Sequence, residues 1–206
     1  MSDQEYIDSI RKDLEDTVKY FSQAKRQERE LWVANEFLIN LGVTFSSSEL
    51  QAVENDPPDV RFREAEFEIK EILDPGRRRH AEYKAALEHA KKTLSIDQLL
   101  EPYHPRDITY SEIYNLVEAA VGKYISKYPV SVWENMDLLF YVNLEDTRAY
   151  IKHDLPEQSE ITRSGFRSVS FVAGYLSGVL MARNGVPEFL SGKTPRVERR
   201  SAEPDC

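Results

Sequence analysis

The sequence predicts a mixed α/β fold in which a β-sheet is flanked by helices. Two stretches with apolar residues at helical spacing precede a hairpin pattern at residues 58–73. Residues 136–144 form a near-continuous apolar run, which is typical of a strand buried on both faces. With 206 residues, of which 41% are hydrophobic, we expect a single domain over residues 1–191. The charged residues 192–206 predict a disordered tail.

Two amphipathic helices are predicted at the N-terminus. The first spans about residues 5–21 and the second about residues 25–41, where Gly42 follows as a natural C-terminal stop. Residues 43–47 favour a short strand, and residues 49–55 favour a turn or a helical piece. The hairpin therefore follows a helical layer.

The hairpin is predicted from two runs of alternating residues. One face carries the apolar residues Val60, Phe62, Phe67 and Ile69, and the other carries the charged residues Asp59, Arg61, Glu68 and Lys70. If the turn falls at residues 63–66, Val60 faces Ile69 and Asp59 faces Lys70. This register clusters Asp59, Glu68 and Lys70 on one side of the hairpin.

The remaining elements alternate between helices and strands. A helix is predicted over residues 77–93 after the turn at Asp74-Pro75-Gly76, and another over residues 109–127 after a connector. The buried strand at 136–144 is expected to pair with an edge strand at 148–153. Residues 162–183 predict a further helix, in which the spacing of Gly174 and Gly178 favours a core position or a homodimer seam.

The cluster of Asp59, Glu68 and Lys70 suits metal-dependent hydrolysis of a phosphodiester. Two carboxylates can hold a hard divalent cation such as Mg²⁺ or Mn²⁺, and the carbonyl oxygen of Ile69 is a further ligand candidate. Lys70 lies roughly 7 Å beyond Glu68 on the same strand face, where it could act on the attacking water or on the phosphate charge. Alternatively, Asp59 and Lys70 form an exposed salt bridge worth under ~1 kcal/mol.

These residues also carry a family resemblance. Pro58-Asp59 followed by Glu68-Ile69-Lys70 resembles the PD-(D/E)XK signature of the restriction-endonuclease-like nuclease superfamily. Over most of its length the chain is similar to an uncharacterised bacterial family described as endonucleases. The resemblance implies an α-β-β-β-α-β core and Mg²⁺-dependent cleavage of DNA. The alternative is a catalytically inactive module on the same fold that binds nucleic acid or a protein partner.

The resemblance implies further site residues on two helices. Glu30, twelve residues before Gly42, resembles the acidic helix residue of these nucleases, with Glu36 as the second choice, although both also suit ordinary solvated helix positions. The helix at 77–93 is expected to line the cleft, with the candidate phosphate contacts Arg78, Arg79, Tyr83 and Lys84. Cations at a helix N-terminus interact unfavourably with the helix dipole. A nearby phosphate or acidic neighbours would offset this cost.

Composition limits the partners. The net charge of −9 argues against a wide DNA-binding surface, so we expect weak binding of DNA. No apolar run reaches the ~18 residues of a membrane span, and we expect the protein in the cytoplasm without membrane contact. The lone Cys206 leaves no cysteine zinc site or internal disulfide framework.

Overall fold

The computed structural model describes residues 2–55, 57–99, 103–125, 129–156 and 159–200. Within these ranges the helices are α1 (Asp3–Tyr20), α2 (Arg26–Asn40), α3 (Arg79–Lys92), α4 (Tyr110–Ile125), α5 (Val130–Trp133), α6 (Ser159–Arg163) and α7 (Glu188–Ser191). The strands are β1 (Leu50–Ala52), β2 (Val60–Phe62), β3 (Ala65–Ile72), β4 (Arg106–Thr109), β5 (Asp137–Val142), β6 (Thr147–Ile151), β7 (Ser168–Ala173), β8 (Leu176–Ala182) and β9 (Arg196–Arg199).

A mixed sheet forms the centre of the fold. Its strands lie in the order β1-β2-β3-β5-β7-β8-β9. Strands β1 to β3 are antiparallel, β5 is parallel to both β3 and β7, and β7 to β9 are again antiparallel. Strands β4 and β6 form a separate parallel pair. The predicted mixed α/β class, with a sheet flanked by helices, is confirmed.

The sheet separates two hydrophobic cores. On one face α2 contributes Val33, Ala34, Phe37 and Leu38, which cluster with inward residues of the strands such as Phe67 and Leu139. On the other face α4 contributes Ile113, Tyr114 and Val117, which cluster with Leu138 and Phe140. Because neighbouring residues of β5 point to opposite faces, its apolar run fills both cores.

The predicted helices near the N-terminus are confirmed. Ser2 and Glu5 form a capping box at the start of α1, which satisfies backbone amides that lack helical partners. Gly42 follows α2 with φ +70°, a backbone conformation that favours glycine. Helices α3 and α4 also form inside their predicted ranges, although Lys127 lies outside the described residues.

The predicted hairpin forms, but its register differs from the prediction. Val60 pairs with Phe67 and Phe62 pairs with Ala65, so the pairing of Val60 with Ile69 and of Asp59 with Lys70 is wrong. The turn contains two residues instead of four, and Arg63 adopts φ +51° in it. Since the shift is an even number of residues, every side chain keeps its predicted face.

The helix predicted over residues 162–183 is wrong. Strands β7 and β8 occupy most of this range and are joined by a tight turn at Gly174, where φ is +53°. Gly178 lies opposite Phe171 in the hairpin, so the spacing of the two glycines reflects a turn and a close ring contact. Short apolar runs suit either structure, and in this range β-branched and aromatic residues favour strands.

Three smaller predictions are also corrected. The early strand is β1 at residues 50–52, after a 3₁₀ turn at Ser47–Glu49, instead of at residues 43–47. Strand β6 pairs with β4 and not with β5, whose neighbours are β3 and β7. Within the expected tail, Arg196–Arg199 form the edge strand β9, while residues 201–206 lie outside the described residues. Among the helices described, none has both the length and the apolar character needed to cross a bilayer.

Candidate active site

The candidate site lies where β2 and β3 separate. The backbone amide of Asp59 donates to the carbonyl of Phe67 at 2.9 Å, which is the end of the regular pairing. The next amide, that of Ile69, donates to the Asp59 side chain at Oδ2, at 2.8 Å. Asp59 is 2% exposed. The carboxylate of Asp59 therefore takes the place of the backbone carbonyl that a longer β2 would offer to the Ile69 amide.

Glu68 and Lys70 lie beside Asp59. They share one face of β3, because residues two apart on a strand point the same way. The Nζ of Lys70 forms an ion pair with Oε1 of Glu68 and lies 3.7 Å from Oδ2 of Asp59. Glu68 is fully buried and the Lys70 side chain is 13% exposed. The structure thus brings the three predicted residues together, and their burial does not fit an exposed salt-bridged surface.

Arg26, at the start of α2, joins this group to Glu30. Its Nε donates to Oε1 of Glu30 at 2.5 Å, and its Nη2 donates to Oδ1 of Asp59 at 2.5 Å. Burial, and then the negative charge of Asp59, raises the pKa of Glu30. Glu36, the second choice for this role, pairs instead with Arg200 at 2.7 Å. Glu30 is therefore the helix acid closest to the candidate site.

Sequence reasoning missed Arg26. Its ion pair with Asp59 joins residues that are 33 positions apart, and nothing in the local pattern indicates that contact. The spacing of Arg26 and Glu30, four residues apart on one helix, does favour a side-chain pair. That spacing is the signal by which the sequence could indicate Arg26 as a partner of Glu30.

The four predicted phosphate contacts, one directly before α3 and three on it, divide into two pairs. Arg79 forms an ion pair with Glu71 at 2.6 Å, and its guanidinium lies 3.7 Å from the ring centroid of Phe21. Tyr83 stacks on the same ring at 5.1 Å. Arg78 and Lys84 are exposed. The structure therefore brings Arg79 and Tyr83 together around Phe21.

Two cavities meet at Arg26 and Glu30. The smaller has a volume of about 270 Å³ and is lined by these two residues together with Asp59 and others, including Gln23 and Glu54. The larger has a volume of about 510 Å³ and is lined by the same Arg26 and Glu30, by Ile69, and by several aromatic and charged side chains. A ligand in the larger cavity would thus lie next to Glu30 and to Arg26, the partner of Asp59.

The donor set suits a hard divalent cation. Mg²⁺ is usually held by one or two carboxylates and keeps several waters. Asp59 and Glu68 supply two carboxylates, and Ile69, which follows Glu68 in the sequence, supplies a backbone carbonyl. Both acids contact cations of the chain, Arg26 or Lys70, which a metal would have to displace or share. Across the residues described, no three His, Cys, Asp or Glu side chains form a ready-made metal cluster.

The chain is similar to a described protein family and to a solved structure. A family model described as "Putative endonuclease, protein of unknown function (DUF1780)" matches residues 2–202. A solved structure from Pseudomonas aeruginosa strain PAO1, described as a protein of unknown function in the monooxygenase superfamily, is 26% identical over 98% of both chains, with a TM-score of 0.65. No curated protein matches the chain.

Proposed function

The chain belongs to this endonuclease family of unknown function, and we propose on that basis that it is a Mg²⁺-dependent endonuclease that hydrolyses phosphodiester bonds in DNA. The observation that carries the proposal is the convergence of Asp59, Glu68 and Lys70 where β2 and β3 separate. The monooxygenase description belongs to the structural neighbour. Asp59, Glu68 and Lys70 give no reason to extend it to this chain.

We further propose that the chain is a member of the PD-(D/E)XK superfamily. The order of its first core elements supports this: α2 precedes the antiparallel strands β1 to β3, and α3 precedes β5, which is parallel to β3. Asp59 of the signature lies directly before β2, and Glu68 and Lys70 lie within β3. Fold and motif therefore agree with each other.

The residues of the site have different proposed roles. Asp59, Glu68 and the carbonyl of Ile69 would hold Mg²⁺ (or Mn²⁺), and Glu30 would assist through the water shell of the metal. A bound Mg²⁺ supplies an activated water and neutralises charge that develops on the phosphate. Lys70 lies beside the two carboxylates, in contact with Glu68 and 3.7 Å from Asp59. We therefore assign Lys70 to orienting the water and to stabilising the phosphate charge.

A second candidate function is a binding module without catalysis. The ion pairs of Arg26 with Asp59 and of Lys70 with Glu68 favour it, because the acids are already neutralised by cations of the chain. The net charge of −9 agrees with weak DNA binding in either case. Direct measurement of metal binding separates the two functions.

The test is DNA cleavage by the wild type and by isosteric variants. Wild-type protein should cleave DNA with Mg²⁺ and not with EDTA, and Asp59→Asn or Glu68→Gln should lower the rate on the order of 100-fold or more. The matched control is Glu66→Gln, because Glu66 shares the strand and the face of Glu68 but pairs with the exposed Arg61 at 3.2 Å. Its rate should match the wild type. An absence of both cleavage and Mg²⁺ binding would favour the binding module.

A further inference from the structure

The larger cavity is lined by aromatic and basic residues that a metal site does not require. Its volume is about 510 Å³, and it opens between the end of α1, the start of α2, and strands β3 and β5. We call it the aromatic cavity; its lining includes Tyr20, Phe21, Arg26, Arg29, Glu30, Trp32, Glu71, Arg79 and Tyr141. Four of these residues are aromatic and three are arginines.

The aromatic side chains offer surfaces for a planar ring. Trp32 meets Tyr141 edge to face, with ring centroids 5.4 Å apart, and 43% of its surface remains exposed. An exposed tryptophan on the wall of a cavity is unusual, because folding normally buries so large an apolar surface. Phe21, which is also part of the lining, contacts Tyr20 edge to face, with ring centroids 5.1 Å apart. Aromatic rings of this kind stack nucleic-acid bases.

The charges of the aromatic cavity favour an anion. Its three arginines outnumber its two acids, Glu30 and Glu71, in a chain whose net charge is −9. Arg29 is fixed in place, because its Nη1 donates to the carbonyls of Tyr20 and Ser22. Burial, and then the positive charge of Arg79, lowers the pKa of Arg29. A bound anion would relieve the repulsion between these two guanidinium groups.

The aromatic cavity adjoins the smaller cavity, whose lining includes Asp59. Arg26 and Glu30 line both cavities, and Arg26 is within 2.5 Å of Asp59 through its Nη2. A chain of nucleotides could therefore place one base in the aromatic cavity while the adjoining phosphate lies near Asp59. A base that is stacked and paired inside a duplex cannot enter such a cavity.

We infer that the aromatic cavity receives one unstacked nucleotide of the substrate, and that the protein prefers single-stranded DNA to continuous duplex DNA. This inference rests on the proposed nuclease function for the nature of the ligand. The base stacks on Trp32, and Arg29 and Arg79 contact the phosphate of the same nucleotide. The chemistry recognised is an aromatic base that carries a phosphate.

The test measures binding without turnover. Fluorescence anisotropy in EDTA compares a labelled ten-nucleotide single strand with a blunt duplex of the same sequence. The single strand should bind at least about tenfold more tightly, and Trp32→Ala should weaken that binding about fivefold or more, with no loss on duplex. Arg79→Gln should act in the same direction. Free deoxyadenosine monophosphate serves as the competitor that separates a nucleotide in DNA from a free nucleotide.

Two variants control for loss of an exposed ring and of a charge. Tyr103 is 63% exposed and lines neither cavity, so Tyr103→Ala should bind both DNAs as the wild type does. Lys91 is exposed near the end of α3, and Lys91→Gln removes a charge from the same helix as Arg79→Gln. Circular dichroism checks that all four variants are folded.

Several outcomes would overturn the inference. They are equal affinity for single strand and duplex, no binding of either, a loss that is the same for Tyr103→Ala as for Trp32→Ala, or tighter binding of the free monophosphate than of the single strand. Cleavage is measured separately with Mg²⁺. Single-strand preference that depends on Trp32, without cleavage, would contradict the proposed nuclease and uphold this inference. Mg²⁺-dependent cleavage without such a preference would uphold the nuclease and contradict this inference.

Discussion

The carboxylate of Asp59 accepts a hydrogen bond from the backbone amide of Ile69 at 2.8 Å, inside the sheet. The contact has two consequences. It completes the hydrogen bonding of β3 at the point where β2 begins, and it fixes the orientation of an acid whose other oxygen accepts from Arg26. Strand structure and candidate chemistry therefore depend on the same side chain.

The first prediction separates these two roles of Asp59. Asp59→Ala removes the acceptor of a buried amide, so we expect a loss of about 1–3 kcal/mol in the free energy of unfolding. Asp59→Asn keeps an acceptor oxygen and should lose less, although both variants should lose Mg²⁺-dependent cleavage. Urea denaturation measures the difference. Equal stability of Asp59→Ala and the wild type would contradict the structural role.

The second prediction concerns the pH dependence of stability through Glu30. Its raised pKa means that the folded protein holds the Glu30 proton more tightly than the unfolded chain does. Stability is therefore lost as the pH rises from the ordinary value of 4.5 through the raised value. Glu30→Gln does not titrate, so its free energy of unfolding should rise relative to the wild type over that interval. Urea denaturation at a series of pH values checks this, and parallel curves would contradict it.

The third prediction concerns a further buried acid, Asp137, at the start of β5. Its oxygens accept from the Arg167 guanidinium, from Ser168 Oγ at 2.7 Å and from the Glu66 amide at 3.0 Å. Asp137→Ala leaves the charge of Arg167 unbalanced in a buried setting, so it should cost about 3–5 kcal/mol of unfolding free energy. Asp107→Ala, which breaks an exposed pair with Arg148, is the control in the same denaturation series and should have a far smaller effect.

The fourth prediction compares two glycines. A Cβ at Gly178 would collide with the ring of the buried Phe171, within 2.9 Å of its Cζ atom. Gly178→Ala should therefore cost about 1–3 kcal/mol. Gly122 lies on the exposed side of α4 with no atom within 4 Å of a Cβ, and Gly122→Ala should add about 0.5–1 kcal/mol. Thermal denaturation of both variants provides the measurement, and shifts of the same sign would contradict the packing described.

Periodicity explains which parts of the fold could be predicted. Val60, Phe62, Phe67 and Ile69 are buried as predicted, because alternation fixes the faces of a hairpin. Alternation does not fix the pairing register, because a shift of two residues leaves every side chain on the same face. The observed register depends on Arg63 adopting a positive φ in the turn. The sequence predicts a helix in place of the hairpin of β7 and β8, because closely spaced apolar residues suit both periods.

The candidate site could be predicted in part, for a related reason. Asp59, Glu68 and Lys70 come from one hairpin, so local spacing is enough to group them. Arg26 and the aromatic cavity depend on how α1 and α2 pack against the sheet, and such packing between distant segments leaves no local pattern. The prediction that Arg78 and Lys84 contact phosphate stays untested by the structure, which leaves both exposed.

The most direct test of the account is the position of a divalent metal in crystals soaked with Mn²⁺, which is located by its anomalous scattering. We predict a peak bonded to carboxylate oxygens of both Asp59 and Glu68, at about 2.0–2.2 Å, with waters completing the shell. Crystals of Glu68→Gln should show a weaker peak or none. A wild-type map without a peak, in which Arg26 still contacts Asp59 and Lys70 still contacts Glu68, would contradict the proposed metal-dependent nuclease.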